Sequence, residues 1–453
     1  MAITHTYCDY GTGNDYKGAT FNDGAFTVAD MTLTKAGAFT ASKVNHWLYL
    51  DDNGSGEVTT GYYRIASVTS ANAVVLAVSP KSGATDPVDV VCTQADGTTS
   101  LPWRSVQGAF DLITRDSTNG DQVNISDAAV QVLAASLTLT TYGTPAERVP
   151  LVLRGYTSAA NDGGMAEIDC NGATMWVSDY DYVYLIDLEA HSGGNNGLVH
   201  LDDNCAAIRC YFHAGVSSPV SKACLDLNMN ATVVGCRIGA YGTGVGQEIT
   251  LGSNSRALGN YVISHFFGIY VAGGEALDNI VYCPGNTSGI AINTNYHHVR
   301  GNAVYAETGN TGSGIYLYTA DIRLGSLIEN NVLVNFSGVG GKGIALRNNE
   351  VLLRGANAFY NCTANYADVH DMHYDLTSLD VALAADPFTD AANGDFSLTE
   401  AAKAALRSLG WPASYLGAHA NSDPHITIGP MQYGPTPAAG GGMLKAEKRG
   451  GKQ

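Results

Sequence analysis

Pairs of acidic residues are the part of this sequence that could carry out hydrolysis. Cleavage of a glycosidic bond needs two carboxyl groups facing one cleft, roughly 5–10 Å apart. Residues two apart on a β-strand share a face, so Asp179 with Asp181, and Asp187 with Glu189, are candidate pairs. Asp202 and Asp203 form a third. Solvated turn carboxylates are the simpler interpretation, and we predict no catalytic residues.

Two short motifs could hold a metal or a phosphate. His370 and His373 are three apart, a spacing that places two imidazoles on one face of a helical turn, where they can bind a metal. The glycine-rich stretch GVGGKG at 338–343 lacks the GxxxxGK[ST] spacing of a phosphate-binding loop. A chance histidine pair and a simple turn explain these motifs, so we predict no metal and no cofactor.

A weak repeat between about residue 175 and residue 370 has to position these side chains. Each unit opens with a short β-prone run around one polar residue, and these residues recur at spacings of 19 to 29. The aligned column comprises Cys236, Asn260, Asn279, Asn302, Asn331 and Asn357, with Asp187 and Cys210 as earlier members. On this alignment Asp187 points into the interior. A second apolar run in each unit follows a small residue, as in GIYVA (268–272) and GIAIN (289–293).

This period, combined with alternation of apolar and polar residues, indicates a β-solenoid. The leucine-rich repeat frame is missing, and no helical segment of about ten residues separates the strands. We therefore expect coils that stack at roughly 4.8 Å, with each strand paired to the coils above and below. In such a stack the column amides would donate and accept along the axis, forming a structural ladder at the bend between strands.

Five regions follow from this pattern. An N-terminal segment at 1–25 joins the solenoid, and residues 26–96 read as an inserted antiparallel β module because turn residues separate short alternating strands. Residues 97–370 form the solenoid, starting with a short capping helix in SVQGAFDLI (105–113). A region at 371–434 contains one helix that begins after Thr399. A Gly- and Pro-rich tail occupies 435–453.

Charge and composition exclude several classes of protein. The net charge of −18 leaves no basic face for nucleic acid. No run approaches the ~20 apolar residues of a membrane span, and the first residues lack the features of a secretory signal. The nine cysteines, without CxxC pairs, read as reduced buried thiols. The tail is the only basic segment, and it is a candidate partner-binding element through Lys445, Lys448, Arg449 and Lys452.

The opening GTGND (11–15) with SVQGAFDLI, the GN-hydrophobic repeats and the ending DPFTDAANGDFSL (386–398) resemble β-helix proteins of the pectate-lyase-like superfamily. The resemblance covers about residues 97–400 and the first twenty. It implies an all-β fold, a right-handed single-stranded parallel β-helix with a small antiparallel module inserted near the N-terminus. The ending is similar to that of uncharacterised β-helix proteins of bacterial and phage origin, and the inserted module is similar to small β modules of phage tail and virion proteins. Because members include lyases, hydrolases, tailspikes and non-catalytic virion proteins, the fold does not decide the function.

The resemblance leaves two functions open. The first is a non-enzymatic bacteriophage virion protein, either a capsid decoration protein or a tail spike or fibre component. Such a protein would be made in the host cytoplasm. It would form a homotrimer, and the trimer would bind other virion proteins. The second is an enzyme acting on a bacterial surface glycan: a tailspike depolymerase, a lyase or a hydrolase. A lyase of this fold would use Arg or Lys beside acidic Ca²⁺ ligands. No aspartate cluster accompanies the recurring arginines, which are Arg256, Arg300, Arg323, Arg347 and Arg354.

Overall fold

The structure is a computed structural model that describes residues 4–406 with several gaps. The gaps are at 52–57, 82–86, 88–89, 96–97, 99–101, 113–117, 138–148, 174, 178–179, 192–197, 215–223, 241–246, 285–289, 295–296, 318–325, 347–351 and 368–373. The chain divides into two compact units, Met1–Gly215 and Val216–Gln453. Neither helix among the described residues has the length and apolar character needed to cross a membrane.

The first unit is built mainly of parallel strands. Its elements are β1 (Thr4–Cys8), β2 (Phe21–Thr27), β3 (Thr32–Thr34), β4 (Trp47–Asp51), β5 (Gly61–Ser70), β6 (Ala73–Leu76), β7 (Val90–Cys92), α1 (Val106–Leu112), β8 (Asp121–Ser126), β9 (Gln131–Val132), β10 (Leu151–Tyr156), β11 (Ala166–Asp169), β12 (Met175–Val177), β13 (Val183–Ile186), β14 (Leu188–His191), β15 (Val199–Leu201), β16 (Ala206–Ile208) and β17 (Tyr211–Ala214). One parallel sheet runs through β1, β8, β10, β13 and β16. A second runs through β9, β11, β14 and β17. The short helix α1 buries Val106, Ala109, Phe110 and Leu112.

A small antiparallel barrel interrupts this parallel arrangement. Strands β2 to β7 close into a barrel in the order β2, β3, β6, β5, β4, β7. Side chains along these strands alternate between the inside and the outside of the barrel, which allows the sheet to close. In β4, for example, the side chains of Leu48 and Leu50 are fully buried while their neighbours are not. The barrel therefore has its own core, which also includes Phe26, Leu33 and Phe39. Its strands begin at Phe21 and end at Cys92.

The second unit continues the parallel pattern. Its elements are β18 (Leu225–Leu227), β19 (Thr232–Val234), β20 (Arg237–Ala240), β21 (Gln247–Leu258), β22 (Tyr261–Ile263), β23 (Phe267–Leu277), β24 (Ile280–Cys283), β25 (Ile290–Thr294), β26 (His297–Arg300), β27 (Ala303–Ala306), β28 (Ser313–Leu317), β29 (Ser326–Glu329), β30 (Val332–Val334), β31 (Lys342–Leu346), β32 (Leu352–Gly355), β33 (Ala358–Tyr360), β34 (Ala364–Ala367), β35 (Tyr374–Leu376), η1 (Thr377–Leu379), β36 (Val381–Ala382), β37 (Phe388–Asp390), η2 (Ala391–Asn393), β38 (Asp395–Leu398) and α2 (Glu400–Leu406). Parallel pairing reaches β36, which pairs with β33. Parallel strand pairing thus extends to Ala382, whereas the repeat predicted regular coils only to about residue 370.

Identical residues stack in register inside the second unit. Its fully buried isoleucines pair from strand to strand along β21, β23, β25, β28 and β31; they are Ile249, Ile269, Ile292, Ile315 and Ile344. Each branched side chain packs on the one above it, so the core repeats with the strand spacing. The fold is all-β, 51% strand and 6% helix, with large parallel sheets, and it is compatible with a β-solenoid.

The asparagine column lies at the bend between strands, and its amides are hydrogen-bonded in series. Asn260 Nδ2 donates to Asn279 Oδ1 at 2.9 Å, and Asn279 Nδ2 donates to Asn302 Oδ1 at 3.0 Å. The series continues through Asn331 to Asn357. Each Nδ2 also donates to a backbone carbonyl, as Asn302 does to that of Ala276 at 2.8 Å. All five side chains are buried.

Cysteines occupy the earlier positions of the column. The backbone N–H of Cys236 donates to Asn260 Oδ1 at 2.9 Å, so Cys236 lies at the start of the amide series in the second unit. Cys210, in the first unit, is buried, and its thiol donates to the carbonyl of Leu185 at 3.4 Å.

The alignment of Asp187 with this column is wrong. Strand register pairs Glu189 with Tyr211, so Leu188 is the counterpart of Cys210 and Asp187 is the counterpart of Arg209. Asp187 and Arg209 have φ values of +55° and +52°. The same left-handed position precedes Asn260 and Asn302, where it is occupied by Gly259 and Gly301. The sequence alignment slipped by one residue because aspartate also tolerates this conformation.

The C-terminal segment of the second unit folds onto the outward face of its parallel sheet. Strands β37 and β38 form an antiparallel pair followed by α2. Phe396 packs edge-on against Tyr261, Tyr282 and Tyr305, with ring centroids 5.8 to 6.4 Å apart. The helix begins after Thr399, whose hydroxyl accepts from the backbone N–H of Ala402 at 3.2 Å. Part of the tyrosine-rich surface of the coils is thus covered by the chain itself.

Candidate functional site

The fold separates one of the carboxylate pairs that the sequence suggested, Asp187 and Glu189. Asp179 lies outside the described residues. Asp187 is buried and forms ion pairs with Arg209 at 2.7 Å and with Arg154 at 3.3 Å. Because Asp187 lies in the turn between β13 and β14, it does not share a strand with Glu189.

Three aspartates do come together in the first unit. Carboxylate oxygens of Asp181, Asp202 and Asp203 lie within 4.8 Å of one another. Partial burial, together with the charges of Asp202 and Asp203, raises the pKa of Asp181. Oxygen ligands at this separation could hold a divalent cation. Asp202 and Asp203 are adjacent in the sequence, but Asp181 is about twenty residues earlier and reaches them only through strand pairing, so the sequence alone does not reveal the cluster.

The described arginines of the repeat bind carboxylates of the next coil. Arg256 Nε lies 2.9 Å from Glu275 Oε2, and the two residues are register partners in β21 and β23. Arg300 Nε lies 3.2 Å from Glu329 Oε1, again between register partners. Burial raises the pKa of Glu329, and the charge of Arg300 opposes that shift. These contacts join successive coils. Arg323, Arg347 and the side chain of Arg354 are outside the described residues.

Histidines and glutamates form a second cross-coil series on the sheet of β11, β14 and β17. His191 Nε2 lies 2.9 Å from Glu167 Oε1, and His213 Nε2 lies 3.2 Å from Glu189 Oε1. The two imidazoles stack with centroids 5.2 Å apart. The spacing of these residues in the sequence matches the repeat: Glu167 and Glu189 are 22 residues apart, as are His191 and His213. This spacing could have predicted that they stack on adjacent coils.

A dense polar junction ties the barrel to the N-terminal segment and to α1. The buried carboxylate of Asp15 accepts from the backbone N–H groups of Trp47, Arg104 and Ser105 at 2.9 to 3.0 Å, and from the Ser105 hydroxyl at 2.7 Å. Burial raises the pKa of Asp15 even though these donors favour its ionised form. Gly108 has to be glycine here, because a Cβ would lie 2.1 Å from Asp15 Oδ1.

A buried histidine continues this junction. His46 is fully buried, and its Nε2 lies 2.9 Å from Asp111 Oδ2. Lys43 Nζ binds the other oxygen, Asp111 Oδ1, at 2.8 Å. Burial by itself would raise the pKa of Asp111, but the hydrogen bonds from His46 and Lys43 outweigh it and hold that pKa below its usual range. The barrel loop at 43–47 is thereby fixed to α1.

One stacked cation, the guanidinium of Arg104, strengthens the same junction. The Arg104 guanidinium lies over the rings of Tyr62, Tyr10 and Trp47, at 3.6, 4.4 and 5.1 Å from their centroids. Such a contact contributes about 0.5–1 kcal/mol at an exposed site and about 2 kcal/mol when water is excluded. These contacts connect the N-terminal segment, the barrel and the chain just before α1, which lie far apart in the sequence.

A cleft of about 340 Å³ opens beside this junction. Its walls come from the barrel loop, from α1 and from the chain after β8, and the polar lining includes Lys43, Asn45, Gln107 and Asp111. Trp47 and several valines supply apolar surface, and Val44 and Val132 are 49% and 38% exposed. The cleft is not apparent from the sequence, because its walls are separated by up to about ninety residues.

No protein-family model matches the chain. No match is found among curated proteins either.

The remaining sequence candidates lie outside the described residues: His370 and His373, and the tail cations Lys445, Lys448, Arg449 and Lys452. The stretch 338–343 is described, and it forms a turn leading into β31.

Proposed function

We propose that the chain is a right-handed single-stranded parallel β-helix acting as a structural protein on the surface of a bacteriophage particle, either a capsid decoration protein or a tail spike or fibre component. It is a homotrimer that attaches to other virion proteins through its terminal regions. The resemblance of its ending to β-helix proteins of bacterial and phage origin supports this proposal, as does the resemblance of the inserted module to small β modules of phage tail and virion proteins.

One observation carries the structural role: charged and amide side chains, which could take part in chemistry, bind side chains of the next coil. In the described coils Arg256 binds Glu275, Arg300 binds Glu329, and Asp187 binds Arg209, each in the next coil. The asparagine series adds a continuous line of buried amide hydrogen bonds. Side chains that could do chemistry hold coils together instead, which favours a rigid scaffold over a catalyst.

Localisation on particles tests the proposal. Antibodies raised against the isolated full-length chain would be applied to purified phage particles from a host that carries this sequence, with immunogold detection. We expect gold on the capsid or the tail, at a constant number of copies per particle by quantitative mass spectrometry. Absence of the chain from intact particles that assemble and infect normally would overturn the role.

A glycan-active enzyme is the second candidate, favoured by one observation. Glu167 and Glu189 are register partners on adjacent strands, so their side chains leave the same face about 4.8 Å apart at the backbone. Retaining glycosidases hold their two carboxyl groups about 5–5.5 Å apart. His191 and His213 would orient the two carboxylates.

Glutamine substitutions separate the two candidates. If Glu167 and Glu189 cleave glycan, Glu167→Gln and Glu189→Gln should each lower depolymerisation of the host surface polysaccharide at least a hundredfold. Glu400→Gln, at the exposed start of α2, serves as the matched control and should leave it unchanged. A chain with no depolymerising activity, or one whose activity survives both substitutions, would exclude this site as the catalyst.

A further inference from the structure

The cleft beside the barrel combines the two kinds of surface that a sugar needs. Trp47 and the valines offer apolar contact, and side chains of Lys43, Asn45 and Asp111 offer hydrogen-bond donors and acceptors. Its volume of about 340 Å³ is near the small end of the 300–1,000 Å³ range of ligand sites. A compact ligand with one apolar face and several hydroxyl groups matches this lining.

The charges in the cleft argue for a neutral ligand. Lys43 Nζ is held by Asp111 Oδ1 at 2.8 Å, so an anionic ligand would have to compete with a carboxylate that is itself fixed by the buried His46. An ionised carboxylate has about four lone-pair positions, and Lys43 and His46 occupy one on each oxygen of Asp111. The remaining positions can accept hydroxyl groups. Asn45 adds an amide whose Oδ1 accepts from Arg64 Nη1 at 3.3 Å and whose Nδ2 can donate to a hydroxyl group.

We infer that this cleft is a binding site for a neutral saccharide, with one sugar ring packed on the Trp47 side and its hydroxyl groups bound by Lys43, Asn45, Gln107 and Asp111. The site lies at the barrel junction, and β9, whose residues Gln131 and Val132 line it, pairs with β11, the strand that carries Glu167. The inference does not depend on the proposed particle role. A chain could bind sugar here without being a virion protein, and a virion protein could lack the site.

Two tryptophan substitutions at valines of similar exposure give a matched test. Val132 lines the cleft and is 38% exposed, whereas Val130 is 37% exposed and is not part of the lining. Val132→Trp should fill the cleft, and Val130→Trp adds the same side chain nearby without doing so. The probes are D-galactose, N-acetyl-D-glucosamine and L-rhamnose, each titrated into the full-length chain with saturation-transfer NMR as the readout.

We expect at least one of these sugars to bind with a dissociation constant near the millimolar range. Val132→Trp should weaken that binding at least tenfold, and Val130→Trp should change it less than twofold. Gln107→Ala provides a second variant, because alanine has a high helix propensity at this position of α1; it should weaken binding at least threefold. Failure of all three sugars to bind, or equal binding by the wild type and both cleft variants, would overturn the inference.

Discussion

Single buried asparagines satisfy the hydrogen-bonding groups at the bends of the coils. Asn302 shows why: its Oδ1 accepts from the backbone and side-chain N–H groups of Asn279, and its Nδ2 donates to Asn331 Oδ1 and to the Ala276 carbonyl. No other side chain of similar size has two acceptor lone pairs and two donors on one planar group. The interior of a bend therefore selects the amide over an apolar residue.

Replacing Asn302 should destabilise the fold strongly. Asn302→Ala leaves several buried donors and acceptors without a partner, each costing about 1–3 kcal/mol, so we expect a loss of more than about 2 kcal/mol in the free energy of unfolding. Asn365→Ala, at an exposed position of β34, is the control and should change stability by less than about 0.5 kcal/mol. Urea denaturation measures both; equal effects would contradict a stabilising role for the ladder.

Asp111 gives a pH-dependent prediction. Its pKa is lower in the folded chain than in the unfolded one, so its contribution to stability is present above the unfolded value near 3.8 and is lost as the pH falls through the lowered folded value. Asp111→Asn should therefore cost on the order of 2 kcal/mol at pH 7. The gap between variant and wild type should narrow below about pH 4. Thermal unfolding from pH 7 to pH 3 tests this, and a gap independent of pH would refute it.

Among the elements, the C-terminal hairpin and helix act as a cover for one sheet face. Phe388 and Phe396 contact each other with centroids 5.3 Å apart, and they pack against the row of tyrosines on β22, β24 and β27. Aromatic pairs contribute about 0.5–1.5 kcal/mol beyond their buried area. At these positions the tyrosine-rich face is covered by the chain itself.

Phe396→Ala should release the cover. The side chain is 4% exposed, and loss of a buried phenylalanine costs about 3–5 kcal/mol. We expect faster hydrogen exchange in β37 and β38, together with a lower melting temperature. Leu379→Ala removes a side chain that is 43% exposed and should alter neither. Exchange rates in β37 and β38 that stay at the wild-type level would show that the hairpin is held by other contacts.

At the scale of the whole molecule, the proposed assembly depends on the ends of the chain. The net charge is −18, while the tail at 435–453 carries four basic residues and one acidic residue. A basic tail on an acidic protein is suited to an acidic surface on a partner.

Truncation after Pro435 tests that assembly. We expect the full-length chain to elute with three times the mass of one chain in light scattering. The truncated chain should keep its circular dichroism spectrum and melting temperature but fail to bind particles stripped of the protein. Truncated protein that binds such particles like the full-length chain would remove the tail from the attachment mechanism, and a monomeric full-length chain would refute the trimer.

Local patterns in the sequence determined the β-rich character of the coils and the column of asparagines, because spacing and alternation are properties of neighbouring residues. The sequence also located α1 and the start of α2 from apolar periodicity and the capping threonine. Asp187 shows the limit: a one-residue slip in alignment is invisible until strand pairing fixes the register. Only the tertiary structure paired Glu167 with His191 and brought Asp181 to Asp202 and Asp203, since those contacts join different coils. It alone created the cleft, whose walls meet because the barrel loop and α1 share the buried carboxylates of Asp15 and Asp111.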